Sequence, residues 1–276
     1  MFDTHCHLNF KVFSNNLDQV IKESADYGVR YFMIPGTDEQ TSRQAVQISL
    51  KYKNAYCSVG LHPHHIYNLV QKNIGIAEAD VIGFITELSE FDSVKAIGEI
   101  GFDKHLYKKT KYQDYKVTEK FLVYQKVLFE RQLRLSLQLS KSLIIHCREA
   151  EEDLLEALAS LWDKKLEKQI VFHCCPASKD LLDFAIEHRV FIGVDGDVTY
   201  DPRKQAFIKK VPLDLLVIET DSPFITPEPV RSQVRFPNTP ANLIHIAKIC
   251  AYLKDIKLEK LIEITTENGL TLFNIN

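Results

Sequence analysis

Short, almost continuously apolar runs recur along the whole chain, separated by stretches in which apolar residues return every three or four positions. The short runs are FDTHCH (2–7), RYFMIPG (30–36), AYCSVGLH (55–62), KAIGEIG (95–101), SLIIHC (142–147), QIVFHC (169–174), VFIGVDG (190–196) and LLVIETD (215–221). Most lack a polar alternation, which predicts parallel strands covered on both faces. Helical spacing fills the segments 17–28, 38–52, 117–140, 151–162 and 178–188. Eight strands alternating with helices predict an α/β fold of the (β/α)8 TIM barrel type, with right-handed crossovers that place the helices outside. No Gly-x-Gly-x-x-Gly turn follows the first strand, which argues against a doubly wound open sheet. After the eighth run, Thr239 can cap a helix whose first turn suits Pro240. The stretch 258–273 predicts an additional C-terminal helix that closes the barrel.

Composition leaves this picture standing and narrows the context. A chain of 276 residues, 45% hydrophobic and 26% charged, has the make-up of an ordinary globular protein and enough length for a large core. A net charge of −3 excludes a coat of positive charge, so any polyanion would be held by a local patch. The cysteines at 6, 57, 147, 174, 175 and 250 form no short disulfide framework and point to free thiols in the cytoplasm. No leader pattern and no apolar run of ~18 residues is present, so no membrane partner is expected. Without a repeat or flexible linker, residues 1–276 read as a single domain; the sequence does not fix the oligomeric state, with a monomer slightly favoured.

The strands end in unusual company. In a barrel of this type the C-terminal strand ends form the reactive face. His5 and His7 stand on the first strand, on one side of it because strand side chains alternate. His62 follows the third strand, Glu99 lies on the fourth, His146 on the fifth, His173 on the sixth and Asp221 on the eighth. Any one of these alone reads as a structural residue. Together, four histidines, a glutamate and an aspartate on one rim suit divalent transition metals, and exceed what one catalytic zinc needs. Two ions about 3.5–4 Å apart that activate a water are the expectation. His5, His7 and Asp221 would hold one, His146 and His173 the other, with Glu99 between them. Asp221 is also placed to accept the proton of the attacking water.

The segments DTHCHL (3–8), GLHPH (60–64), GEIGFD (98–103), IHCREA (145–150), HC (173–174) and ETDSPF (219–224), in that order, resemble the TatD-type metal-dependent deoxyribonucleases of the amidohydrolase superfamily. The resemblance runs from Asp3 to the closing TTENGLTLF at 265–273. It implies hydrolysis of phosphodiester bonds in DNA, single-stranded or at an end, with two divalent ions (Mg, Mn or Zn). It carries the metal-ligand role onto His5, His7, Glu99, His146, His173 and Asp221, the same six reached from topology, of which Asp221 and Glu99 are expected to be catalytic. It also implies that His62 and His64 contact the substrate phosphate, with His65 as the alternative, and that Arg148 pairs with phosphate through its forked donors. Departures fall in loops: CCPAS after His173 where the family has Cys-Phe-Ser-Gly, GFDKH where it has Gly-Leu-Asp-Tyr, and RFPNTP (235–240) for an Arg-Asn-Glu-Pro segment.

Other features carry less. Residues 103–120 hold six lysines and three tyrosines, either a patch for phosphates and unpaired bases or a solvated loop diluted by Asp103, Asp114 and Glu119. Arg231 and Arg235 could add to such a patch. Strand alternation sends the Cys174 thiol away from the side used by His173, which argues against a thiolate metal site. Rival readings are a hydrolase of a small amide, ester or phosphoester, a tRNA-ester hydrolase, and a catalytically silent nucleic-acid-binding barrel. The last would leave buried charges without a counter-ion, at high cost.

Overall fold

The computed structural model describes residues 1–75, 80–107 and 114–276. Eight parallel strands follow chain order around a nearly closed barrel: β1 (Phe2–Asp3), β2 (Tyr31–Pro35), β3 (Ala55–Val59), β4 (Val94–Asp103), β5 (Ser142–Arg148), β6 (Ile170–Phe172), β7 (Phe191–Val194) and β8 (Leu216–Ile218). All eight apolar runs supply a strand. The first is shorter than expected, because beyond Asp3 the chain keeps only a single bridge, between Cys6 and Ser222. Backbone bonds from Asp221 N to His5 O (2.9 Å) and from His7 N to Ser222 O (2.7 Å) close the first strand region onto the last.

The five segments of helical spacing form α1 (Leu17–Asp26), α2 (Glu39–Lys51), α5 (Glu119–Leu139), α6 (Glu151–Leu161) and α7 (Lys179–His188). Three further helices were not anticipated: α3 (Pro63–Gln71), α4 (Val81–Leu88) and α8 (Pro202–Ile208). At seven to nine residues each is shorter than the window in which a helical period shows. Their starts are nonetheless polar caps, at His62, Asp80 and Asp201. Then come α9 (Leu243–Leu253) and the additional α10 (Leu258–Leu272). The cap expected from Thr239 is absent. The turn is held instead by Asn238, its buried Oδ1 accepting from Thr239 N and Asn242 Nδ2, both at 2.9 Å.

Inside the barrel, Phe2, Met33, Ala96, Ile144, Val171, Phe191 and Val217 form an apolar floor with Leu272 and Phe273. The ring of Phe273 meets that of Phe2 at 5.7 Å, so the chain end after α10 stops the barrel from below. Strand side chains repeat every two residues. One step above this floor therefore lie Thr4, Gly98, His146, His173, Gly193 and Glu219, and the interior turns polar.

The upper strand ends outrun the sheet, and α5 supplies what the ladder lacks. Gln125 and Gln132 sit two helical turns apart on its buried face. Gln125 Oε1 accepts from Asp103 N (2.7 Å) and its Nε2 donates to Asp103 O (3.1 Å). Gln132 Oε1 accepts from Leu61 N (2.8 Å), and its Nε2 donates to Leu61 O and Leu128 O. Each amide thus satisfies buried backbone groups beside a polar strand end. Gln132→Leu strands two of them and is expected to cost about 1–3 kcal/mol. Urea unfolding should show a lower midpoint with an unchanged m value.

Candidate metal centre

Glu99 occupies the middle of the upper layer because β4 is irregular there. The β4–β5 register skips between Ile97 and Ile100. The Glu99 N–H leaves the ladder and donates instead to Gly36 O, at 2.7 Å. A break of this kind re-aims a side chain, here into the barrel. The close packing needs a glycine at position 60, where an added Cβ would stand 2.8 Å from the backbone of Gly98.

Buried to 3% exposure, the carboxylate divides its oxygens between two groups of imidazoles. Oε2 lies 3.5 Å from His5 Nε2 and 3.7 Å from His7 Nε2. Oε1 lies 2.9 Å from His173 Nε2, 3.1 Å from His146 Nδ1 and 3.2 Å from His62 Nε2. Asp221 Oδ1 completes the first side, 3.4 Å from His7 Nε2 and 3.7 Å from His5 Nε2. Its backbone is left-handed (φ 48°), a conformation aspartate adopts more readily than most residues. The six residues expected to share the rim therefore converge. Donor atoms of His5, His7 and Glu99, of His5, His173 and Asp221, and of His62, Glu99 and His146 each fall within 4.8 Å of one another. Nitrogen and carboxylate oxygen in this mixture suit a divalent transition metal.

Electrostatics fit a cation. Burial works against ionising Glu99, yet His173 and His62 hold its carboxyl well below the usual range. Burial likewise opposes a proton on His173, but Glu99 and then Glu219 raise its pKa well above the ordinary value. His146 is raised in the same way by Asp103 and Glu99. Positive charge is what Glu99 draws to its His146 and His173 side, whereas burial lowers the His5 pKa and leaves that side to neutral imidazole.

Two carboxylates that sequence reading passed over stand behind the histidines. Asp103 Oδ2 lies 3.1 Å from His146 Nε2, opposite the nitrogen that faces Glu99. Against the cost of burial, His146 and His64 keep the Asp103 carboxyl ionised far below its usual range. Glu219 lies 3.7 Å from His173 Nδ1 and accepts from Thr4 Oγ1 and Cys174 N. Gly193 makes the room: a Cβ there would meet Glu219 Oε1 at 2.6 Å. The signal was present in the period of two, since Glu219 follows inward-facing Val217 and precedes Asp221, and Asp103 shares the parity of Glu99. Such partners fix the tautomer and orientation of a ligating imidazole.

The remaining expected residues separate. His62 Nδ1 accepts from His64 N (3.1 Å), which leaves Nε2 to carry the proton, and burial lowers the pKa to about 3. It is a neutral donor aimed at the centre. His64 Nε2 meets Asp103 Oδ2 (3.1 Å) and Tyr107 Oη (2.8 Å). His65 instead pairs with Asp38 at the start of α2, 3.3 Å away, so the loop turns His64 and not His65 toward the centre. Arg148 is exposed and donates to Tyr107 Oη (3.3 Å), its guanidinium 5.1 Å from that ring. Cys174 corrects an expectation. Regular strand ends at Phe172 and Cys174 has φ 42°, so alternation does not apply and its thiol shares a cluster with His173 and Glu219. Burial, then the charges of Asp195, Asp221 and Glu219, push the thiol pKa well up, which keeps it protonated. Of the basic segment 103–120, residues 108–113 lie outside the described residues.

A family model for the TatD related DNases matches residues 2–274. The chain belongs to the TatD family of metal-dependent hydrolases. Among curated TatD-family relatives, it is 30% identical to the metal-dependent hydrolase YabD of Bacillus subtilis, with all of both chains covered. It is also 30% identical to the 3'-5' ssDNA/RNA exonuclease TatD of Escherichia coli, over all of this chain and 99% of that one. The fold matches the crystal structure of the TatD homolog YJJV from Escherichia coli with a TM-score of 0.83, at 24% identity, covering 100% and 98% of the two chains. Carboxylates behind imidazoles that ligate a metal tune its binding. Asp103→Asn and Glu219→Gln are each expected to weaken divalent-ion binding about 10–100-fold. Titration calorimetry of Mn²⁺ or Zn²⁺ into metal-stripped protein measures this, and unchanged affinity would assign both carboxylates to the fold alone.

Proposed function

We propose that this metal-dependent hydrolase cleaves phosphodiester bonds of nucleic acid, single-stranded DNA ends first, using two divalent ions. The division of the Glu99 oxygens between two sets of imidazoles carries the reading. His5, His7 and Asp221 with Glu99 Oε2 would hold one ion, and His146 and His173 with Oε1 the other. When bound, such ions lower the pKa of water and draw charge from a phosphoryl oxygen. Asp221 takes the proton from the attacking water. His62 presents its Nε2–H to a non-bridging phosphate oxygen, a role its fixed tautomer suits better than ligation. His64 and Arg148 stand on the Asp103–Tyr107 network at the mouth, where further phosphates would pass. Removal of nucleotides from the 3' end is the form of the reaction that the Escherichia coli relative's name gives for that protein. The six free cysteines suit a reducing compartment such as the cytoplasm. No helix among the described residues is long and apolar enough to cross a membrane.

Two measurements test the proposal. Metal-stripped protein given end-labelled single-stranded DNA should shorten it stepwise only after Mg²⁺, Mn²⁺ or Zn²⁺ is restored. Asp221→Asn should lower kcat about 10²–10⁴-fold, the range of a lost general base. DNA left intact under every condition, with stoichiometric metal bound, would instead favour a small-ester substrate. Separately, a saturating ion at 100 times its Kd should add about 2.7 kcal/mol of stability, read as a rise in Tm over the EDTA-treated protein. Glu99→Gln should abolish most of that rise.

A further inference from the structure

One line of aromatic rings leads outward from the metal centre past His7. The ring of Phe10 stacks on His7 with centroids 4.3 Å apart and planes 16° from parallel. Phe224 follows at 6.1 Å from Phe10, and Phe236 at 6.4 Å from Phe224. The last two are 45% and 55% exposed and adjacent, so together they make an apolar surface patch.

The loop that carries them is tied down. Asn238 Nδ2 donates to Thr220 O (3.0 Å) and Phe224 O (2.8 Å), and Asn238 N donates to Pro223 O. Thr226 Oγ1 donates to Arg235 O at 2.7 Å. Both phenyl rings are therefore held on a closed loop that starts at Asp221. The same loop supplies positive charge through exposed Arg235 and through Arg231, which packs 4.2 Å over the Tyr200 ring and lies 3.8 Å from Glu228 Oε1. By contrast, Tyr107 and Tyr115 of the basic segment are turned inward, both hydrogen-bonded to Asp103. They are not free faces.

We propose that Phe224 and Phe236 form a stacking platform for the unpaired bases of a single-stranded nucleic acid whose scissile phosphate lies at the metal centre. The proposal rests on the nuclease reading above and deepens it by naming residues that would favour an unpaired strand, because stacking of this kind needs bases that are out of a duplex. Aromatic faces accept every base, so the platform confers strand preference without sequence preference. Arg231 and Arg235 serve the phosphates between the stacked bases, and continuity with His7 through Phe10 ties the platform to the cleavage point.

The test compares two oligonucleotides of equal length, one normal and one with tetrahydrofuran abasic residues at the four nucleotides nearest the cleaved end, using the metal-loaded protein. Wild type is expected to show a KM about tenfold lower for the normal strand. The Phe224→Ala/Phe236→Ala double variant should raise that KM to the abasic value while changing kcat much less. Phe224→Leu/Phe236→Leu, which keeps the apolar area without a π face, should behave like the alanine pair, and Phe224→Tyr/Phe236→Tyr should restore the preference. Equal KM values in wild type, or a preference that survives in the alanine or the leucine double variant, overturns the platform and leaves the nuclease reading intact. A dimer of wild type in sedimentation that dissociates in the alanine variant, with the preference unchanged, assigns the rings to self-association and overturns it too. Cleavage of neither strand overturns the nuclease reading itself.

Discussion

A single buried carboxylate organises the upper half of this barrel. Glu99 sits where five imidazoles converge, and each of its oxygens faces a different set of them. Taking a carboxylate out of water is expensive, and only opposite charge at close range offsets it. The arrangement is therefore stable only with cations, as protonated histidines or as metal, which is the physical content of calling the centre a metal site.

That demand propagates outward. His146 and His173 must present one nitrogen to Glu99, so their other nitrogens turn to Asp103 and Glu219, themselves buried and held by backbone and side-chain donors. Asp103 then gathers His64 and Tyr107, and through Tyr107 reaches Arg148. The imidazoles around Glu99 and the exposed Arg148 thus share one hydrogen-bonded chain. Two glutamines of α5 fix the backbone on which this chain is mounted.

The division of labour in the barrel is equally physical. Below Glu99 the strands present Ile144, Val171 and Val217, and two residues further up the same faces present His146, His173 and Glu219. Stability is concentrated in the floor and in the helix-covered outer face, which leaves the rim free to collect polar groups that no stable core would otherwise contain.

Local patterning was enough for much of this. Apolar runs and helical spacing determined the eight strands, the longer helices and the barrel, because period and burial are written in neighbouring residues. The same runs ended in His5, His7, Glu99, His146, His173 and Asp221, so membership of the rim was legible too. Short helices α3, α4 and α8 were not, since seven to nine residues hold too little period. Tertiary structure alone decided the rest. It set the break in β4 that turns Glu99 inward, the choice of His64 over His65, and the pairing of Asp103 and Glu219 with their histidines. Each depends on backbone groups brought together from distant parts of the chain, such as Glu99 N on Gly36 O and Asp221 N on His5 O. A sequence states which side chains are available, and only closure of the barrel states which of them meet.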